Sequence, residues 1–186
     1  MVKQGETMKL HIGGGYHRIE GFLNVDIQKR GDNTDIISDA VSLPVKSNSV
    51  EEVYASHILE HFYHTDTLKV LTEWNRVLKP GGKLWVSVPD FEIVIGVYRD
   101  VGYMCDWVRN MLYGDQKEDK YTTVHRTCFT FASLCKVMKD AGFDNFEDIA
   151  EMPYGLKDNS HYKVSGAAMG SSGKLISVNV KAIKSN

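Results

Sequence analysis

Long apolar runs are missing from this chain, and so are paired cysteines, abundant proline and an excess of charge of either sign. The longest apolar stretches fall far short of the roughly 20 residues needed to cross a bilayer as a helix. The opening MVKQGETMK carries no apolar signal core. Cys105, Cys128 and Cys135 are odd in number and form no C-x-x-C, which argues against structural disulfides and a cysteine zinc site. They suit a reducing cytosol and are expected to be small buried hydrophobes. Lys and Arg total 22 against 24 Asp and Glu, a net charge of −2, so no basic field draws the chain to nucleic acid or to an anionic membrane. No repeat, low-complexity tract or linker divides it. What remains, 186 residues at 42% hydrophobic content, fits one domain with a full core.

The stretch from Lys9 to Ala40, KLHIGGGYHRIEGFLNVDIQKRGDNTDIISDA, organises that domain. Leu10 to Ile12 is a short apolar run that breaks into Gly13, Gly14 and Gly15; Phe22 to Ile27 carries Asp26 near its end; Asp35 to Ile37 leads to Asp39 and Ala40. Three strands ending side by side place a glycine turn and two carboxylates on one sheet edge, where open α/β sheets bind ligands. Glycines let backbone N–H groups approach a ligand that a Cβ would hold off. One strand-end carboxylate can accept from both hydroxyls of a ribose, and a second can accept from an exocyclic amine, so the ligand implied is an adenosine. A dinucleotide site is a poor match, because the third glycine of G-x-G-x-x-G is replaced in the run Tyr16-His17-Arg18. Asp26 also follows Gly15 by only eleven residues, and no helix fits between Gly15 and Gly21 to face a pyrophosphate. The P-loop Lys-Ser/Thr is missing as well. A phosphate-free adenosine fits better than NAD or ATP. The plain reading of Asp26 and Asp39 as turn or helix-cap carboxylates is weaker, given their shared place at strand ends.

Further along, Val2 to Thr7 reads as a frayed polar leader, Lys46 to Ser49 as loop and Val50 to Ala55 as a fourth strand. Leu68, Leu71, Trp74 and Leu78 recur at helical spacing, with Thr65 or Asp66 as N-cap and Pro80-Gly81-Gly82 as the stop. Lys83 to Val88 is a fifth strand ending at Pro89-Asp90. Val94, Val97, Tyr98 and Val101, then Trp107, Val108, Met111 and Leu112, predict two amphipathic helices before the charged stretch Asp115 to Lys120. Phe131, Leu134, Met138 and Ala141 predict another helix, capped by Thr130 and closed by Gly142. Phe146 to Ile149 and Leu175 to Ile183 are the last strands, separated by a long loop over Met152 to Gly173. Strands alternating with helices specify an α/β fold with a mostly parallel, doubly wound sheet.

The order of glycine turn, "NVD", "SDAVSLP", "SVEEVYASHILEHF", "WNRVLKPGGKLWVSVPD" and "KDAGF" resembles the class I S-adenosylmethionine-dependent methyltransferases, in the small branch often called type 11 methyltransferases. The resemblance covers about Lys9 to Phe143. It departs from the family pattern at His11, where an acid is usual two residues before the first glycine, and in a first helix compressed almost to nothing. The resemblance implies a single-domain Rossmann-like sheet of about seven strands with a C-terminal antiparallel hairpin, residues 91–129 capping the substrate, and S-adenosyl-L-methionine as cofactor. It implies that Gly13 and Gly15 lie against the methionine part, Asp26 on the ribose and Asp39 on the adenine amine, with Ala40 and Leu43 as apolar cover. His11, Gly14, Ile27, Ser56 and His57 complete the expected cofactor site.

On the acceptor side, His57, His61, Asp90 and His125 are the titratable groups expected near the same sheet edge. Imidazoles suit a base at neutral pH. His57 at the end of the fourth strand ranks first, His61 second and His125 third; Asp90 can orient a hydroxyl, and His125-Arg126 can clamp an anionic or sugar-like acceptor. Each histidine taken singly could equally cap a turn. His57-Ile58-Leu59-Glu60-His61 also matches H-x-x-E-H, the pattern of a zinc hydrolase, which needs both histidines on one helix face and a third ligand. Because His57 follows directly on a strand, no metal site is expected, and the zinc hydrolase is a second reading. A non-catalytic S-adenosylmethionine-binding module is a third. No D/N-P-P-Y/F segment of base-modifying enzymes is present. The expectation is a small-molecule acceptor, with neither nucleic acid nor membrane as partner; the resemblance, to a branch often found among glycan-modifying enzymes, implies a saccharide or other hydroxyl methylated at oxygen. Tyr98, Tyr103, Trp107 and Tyr113 fall in the expected cap and read more readily as core than as a substrate platform, although a sugar or aromatic acceptor could stack there. Oligomeric state is not readable.

Overall fold

The computed structural model describes residues 7–115, 123–155, 163–166 and 170–185, of which 164–166 and 170–173 are described by backbone alone. The expected leader from Val2 lies outside these residues up to Thr7, and the charged stretch beyond Asp115 lies outside them too. The sheet grows from β1 (Met8–Ile12) in two directions. On one side come β2 (Leu23–Asp26) and β3 (Ile36–Ile37), on the other β4 (Val50–Ser56) and β5 (Leu78–Pro89), all parallel. Leu10 pairs with both Leu23 and Val53, so the chain reverses its direction of travel across the sheet at β1 and β4. The expected C-terminal pair is β6 (Phe143–Asp148) and β9 (Ser177–Lys184); β9 runs antiparallel to β5 and to β6, giving the order β3-β2-β1-β4-β5-β9-β6. The seven strands match the expected architecture.

Side chains alternate across the strands. Val53 and Ala55 join Leu10, Ile12, Leu84 and Val86 in the main core, under α1 (His64–Val77) and α4 (Phe131–Asp140). Tyr54 turns to the opposite face, where Ile19, Phe22 and Met152 cover it. Loop residues thus do the covering that the compressed first helix leaves undone.

Several local expectations change. Helix α1 starts before Thr65 and Asp66, at His64, with Tyr63 at the N-cap and no side-chain cap bond. Its buried stripe is Thr67, Val70, Leu71, Trp74 and Val77; Leu68 lies about 100° off that stripe and is 43% exposed. The helix ends at Val77, ahead of the glycines, because Leu78 is already extended; Pro80-Gly81-Gly82 forms an irregularity inside β5, where the β4–β5 register shifts. The expected loop over Met152 to Gly173 contains a hairpin, β7 (Lys163–Gly166) with β8 (Gly170–Leu175), so Leu175 belongs to β8 and β9 begins at Ser177.

The two expected amphipathic helices appear as α2 (Phe91–Val101) and α3 (Asp106–Tyr113), closed on their own cluster of Ile93, Val94, Val97 and Val108. Trp107 packs against that cluster, whereas Tyr98, Tyr103 and Tyr113 are exposed rather than core. Cys128 is exposed too, and Cys105 and Cys135 are half-buried, all as free thiols. Helix α4 carries the expected cap: Thr130 and Ser133 exchange bonds as a capping box.

Candidate active site

A cleft of about 480 Å3 opens beyond the carboxyl ends of β1, β2 and β4, where the strand order reverses. Gly13, Gly15, Asp26, Ile27, Asp39 and Ala40 line one side; His57, His61, Phe62, Tyr63 and Arg126 line the other. This volume lies within the usual range for small-molecule sites, about 300–1,000 Å3.

The first wall follows from the glycine turn and one amide. Gly14 backs onto Asn24, where a Cβ would stand 1.9 Å from Asn24 Oδ1, so only glycine allows the approach. Asn24 Nδ2 donates to Asn33 O at 2.7 Å and, at longer range, to Gly15 O and His17 O, tying the turn to the loop after β2. Gly15 has φ +56° and no atom within 4 Å of where its Cβ would be, which leaves its backbone bare to the cleft. Its N–H donates to Asp26 Oδ2 (3.1 Å), and Gln28 N–H donates to Asp26 Oδ1 (2.8 Å). A carboxylate has about four acceptor positions, so Asp26 keeps capacity for two hydroxyl donors while holding the turn. Asp39 is exposed on the rim and accepts from Val41 N–H (3.1 Å). Between the two acids Ile27 and Ala40 offer an apolar floor for a flat ring.

The second wall is built around a buried acid. His57 ends β4 in a left-handed conformation (φ +54°), a strained geometry for a residue with a Cβ. Its Nδ1 lies 3.0 Å from Glu60 Oε1, and its Nε2 lies 2.9 Å from Ser177 Oγ. Glu60 sits in a 3-10 turn, Leu59–His61, and is 1% exposed. Burial alone pushes its carboxyl up, but His57, His61 and His125 together outweigh this and hold it below the usual carboxylate range. His125 is half-buried, with Nε2 4.0 Å from Glu60 Oε1; burial pushes its imidazole below the ordinary histidine value, although Glu60 pulls the other way. Arg126 leans over the Tyr63 ring at 5.1 Å and donates to His61 O.

Of the expected residues, the cleft therefore brings together Gly13, Gly15, Asp26, Ile27, Asp39, Ala40, His57 and His61. His11 and Gly14 are buried behind the turn, His11 edge-on to Tyr54 at 5.2 Å. Leu43 is core, and Ser56 and His125 stand behind the lining. Asp90 is the N-cap of α2, accepting from Glu92 N–H, and burial raises its carboxyl. The sequence gives no signal for Asn24, Arg30, Phe62 and Tyr63 as parts of the site, and it marks Glu60 only as a member of the H-x-x-E-H pattern. His57 precedes the 3-10 turn, so the histidines of the H-x-x-E-H pattern do not share a helix face.

The glycine cradle and the spare acceptors of Asp26 and Asp39 fit an adenosine cofactor without pyrophosphate. Residues 20–86 match the family described as "Methyltransferase domain". A demethylmenaquinone methyltransferase of Staphylococcus haemolyticus is 31% identical over 137 residues, covering 67% of this chain and 56% of its own length. The chain thus matches little more than half of that relative. Among solved structures, a SAM-dependent methyltransferase from Methanosarcina mazei is similar at 17% identity (TM-score 0.61, covering 98% of this chain and 94% of that one). A putative methyltransferase of Haloferax volcanii, solved with the Trm112 activator, is 15% identical (TM-score 0.62, 97% and 84%). Matched sequence and shared fold agree with the site's position at the strand reversal: this chain belongs to the class I S-adenosylmethionine-dependent methyltransferases, and the family's cofactor is S-adenosylmethionine.

Proposed function

We propose that the chain is a single methyltransferase domain that transfers a methyl group from S-adenosylmethionine to an oxygen of a small-molecule acceptor, with residues 91–129 as the substrate cap. The observation that carries this is the convergence of Gly15, Asp26 and Asp39 on one wall of a cleft whose other wall holds His57. When bound, the cofactor supplies a sulfonium-activated methyl group, so the protein's tasks are positioning and proton removal. The backbone of Gly13 and Gly15 receives the methionine part. Asp26 accepts from the ribose hydroxyls and Asp39 from the adenine amine, with Ile27 and Ala40 against the ring. His57, oriented by Glu60, takes the acceptor's hydroxyl proton as general base.

The relative's name gives it a quinone-type acceptor. Here Arg126 and two histidines beside Phe62 and Tyr63 favour an oxygen-rich acceptor with a ring, and a saccharide suits both. A cytosolic setting agrees with three unpaired thiols, and among the described residues no helix is long and apolar enough to cross a membrane.

Calorimetry with S-adenosylmethionine tests the cofactor half. Asp26→Ala should weaken binding by about 1–3 kcal/mol, the loss of a charged acceptor. Unchanged affinity in a folded Asp26→Ala protein would remove the ribose role. Screening hydroxyl-bearing acceptors for mass gain of one methyl tests the other half.

A further inference from the structure

Glu60, His61 and His125 each bring a ligand atom to within 4.8 Å of the other two, with His61 lining the cleft and the other two behind it. The two imidazoles are held in one tautomer each. His61 Nδ1 lies 3.1 Å from Val124 O and His125 Nδ1 lies 2.9 Å from Met111 O. A carbonyl oxygen only accepts, so both Nδ1 atoms must donate, and the remaining nitrogen of each neutral ring carries a bare lone pair. An imidazole fixed by donating its other N–H to a backbone carbonyl is the arrangement that metal-binding histidines adopt.

Between them stands Glu60, 1% exposed, whose Oε1 meets His57 Nδ1 at 3.0 Å and whose Oε2 has no hydrogen-bond partner among the described residues. His57 makes an ion-pair contact with Oε1 alone. That contact comes from the far side of Oε1 and leaves Glu60, His61 and His125 gathered together.

We propose that Glu60, His61 and His125 bind one divalent transition-metal ion of the zinc class. Two imidazoles and one carboxylate form a ligand set suited to zinc, cobalt, nickel or ferrous iron, and they leave a coordination position open. Ligand atoms around zinc stand roughly 3.4 Å apart at bond lengths of about 2.0–2.2 Å, so groups now within 4.8 Å of one another must draw in by up to about 1.4 Å on the ion. His61 lines the cleft, so the open position faces the space where an acceptor would lie. On the methyltransferase reading above, an acceptor oxygen takes that position, beside His57. The ligand set differs from the H-x-x-E-H pairing, because His125 replaces His57 and comes from a distant segment packed on the turn: Arg126 and Thr127 N–H both donate to Glu60 O.

The test is zinc titration of the chelator-stripped full chain, read by calorimetry, with cobalt substitution read by its visible absorption. The expected result is one equivalent of zinc, a rise in melting temperature with zinc, and a cobalt spectrum showing nitrogen and oxygen ligands. Glu60→Gln, His61→Asn and His125→Asn should each weaken zinc binding at least about 10-fold, as loss of one ligand of three demands. His57→Ala should keep it, as should His17→Asn and His64→Asn at exposed positions. Should Glu60→Gln not fold, the His61 and His125 variants decide. Absence of stoichiometric zinc, or binding untouched by the His61 and His125 variants, overturns the proposal; so does loss on His57→Ala. Affinity for S-adenosylmethionine, measured without metal, stands apart. Its persistence when zinc binding fails sinks the metal site alone, and its failure with zinc binding intact sinks only the methyltransferase reading.

Discussion

Along the β1–β3 side of the cleft, the buried Asp26 and the exposed Asp39 both bond neighbouring backbone amides; along the β4 side, one carboxylate is sealed off among three imidazoles. Asp26 shows the first arrangement, with its shape dictated by Gly15 and Gln28 amides and its outer lone pairs left for a ligand. Glu60 shows the second, with its charge answered by side chains that can gain or lose protons. Such a difference gives the first wall a shape fixed by backbone bonds and the second a buried carboxylate whose charge is met by imidazoles.

The sharpest way to separate the walls is His57→Ala. It should lower turnover by about 10²–10⁴-fold, the range for removing a general base, while S-adenosylmethionine affinity stays nearly unchanged. An equal loss in both quantities would erase the distinction. Next in size, Gly14→Ala should act on the first wall alone, because its Cβ would collide with Asn24. A destabilisation of about 1–3 kcal/mol in urea unfolding is expected, together with weaker cofactor binding. The smallest effect concerns the support of the Asp39–Leu43 segment. Glu73 accepts from Leu43 N–H at 2.6 Å and pairs with Arg76, whose guanidinium also donates to Leu43 O and Val45 O. The bonds from Arg76 hold the Glu73 carboxyl below the usual range. That stability is therefore present above pH 4.5, the ordinary value, and is lost as pH falls through the lowered folded value. Glu73→Gln should cost about 1–2 kcal/mol at neutral pH and flatten the acid limb of melting temperature against pH. A variant whose limb keeps its slope would show that other acids carry it.

The first wall was legible in the sequence because its parts are local. Three strand ends, a glycine triplet and two acids fall within Lys9 to Ala40, and the period-2 and glycine patterns that reveal them need no knowledge of distant contacts. The role of Asn24 was hidden, since only packing shows that its amide meets Gly14. The second wall is non-local. Nothing near Glu60 in sequence announces that His125 will face it, or that Ser177 will meet His57. Asp90 illustrates the converse: an acid after a strand looks the same whether it faces a ligand or caps the next helix, and here it caps α2. Leu68 and the hairpin of β7 and β8 were misjudged for simpler reasons. A helix stripe read one residue off moves by about 100°, and glycine-rich strands lack the β-branched signal that marks a strand.

The four apolar residues shared by α2 and α3 meet one another rather than the main sheet. Substitutions inside that cluster should therefore leave the seven-stranded frame intact. On the proposed reading of α2 and α3 as a substrate cap, acceptor preference would change by rewriting this one segment while the donor's wall stays as it is.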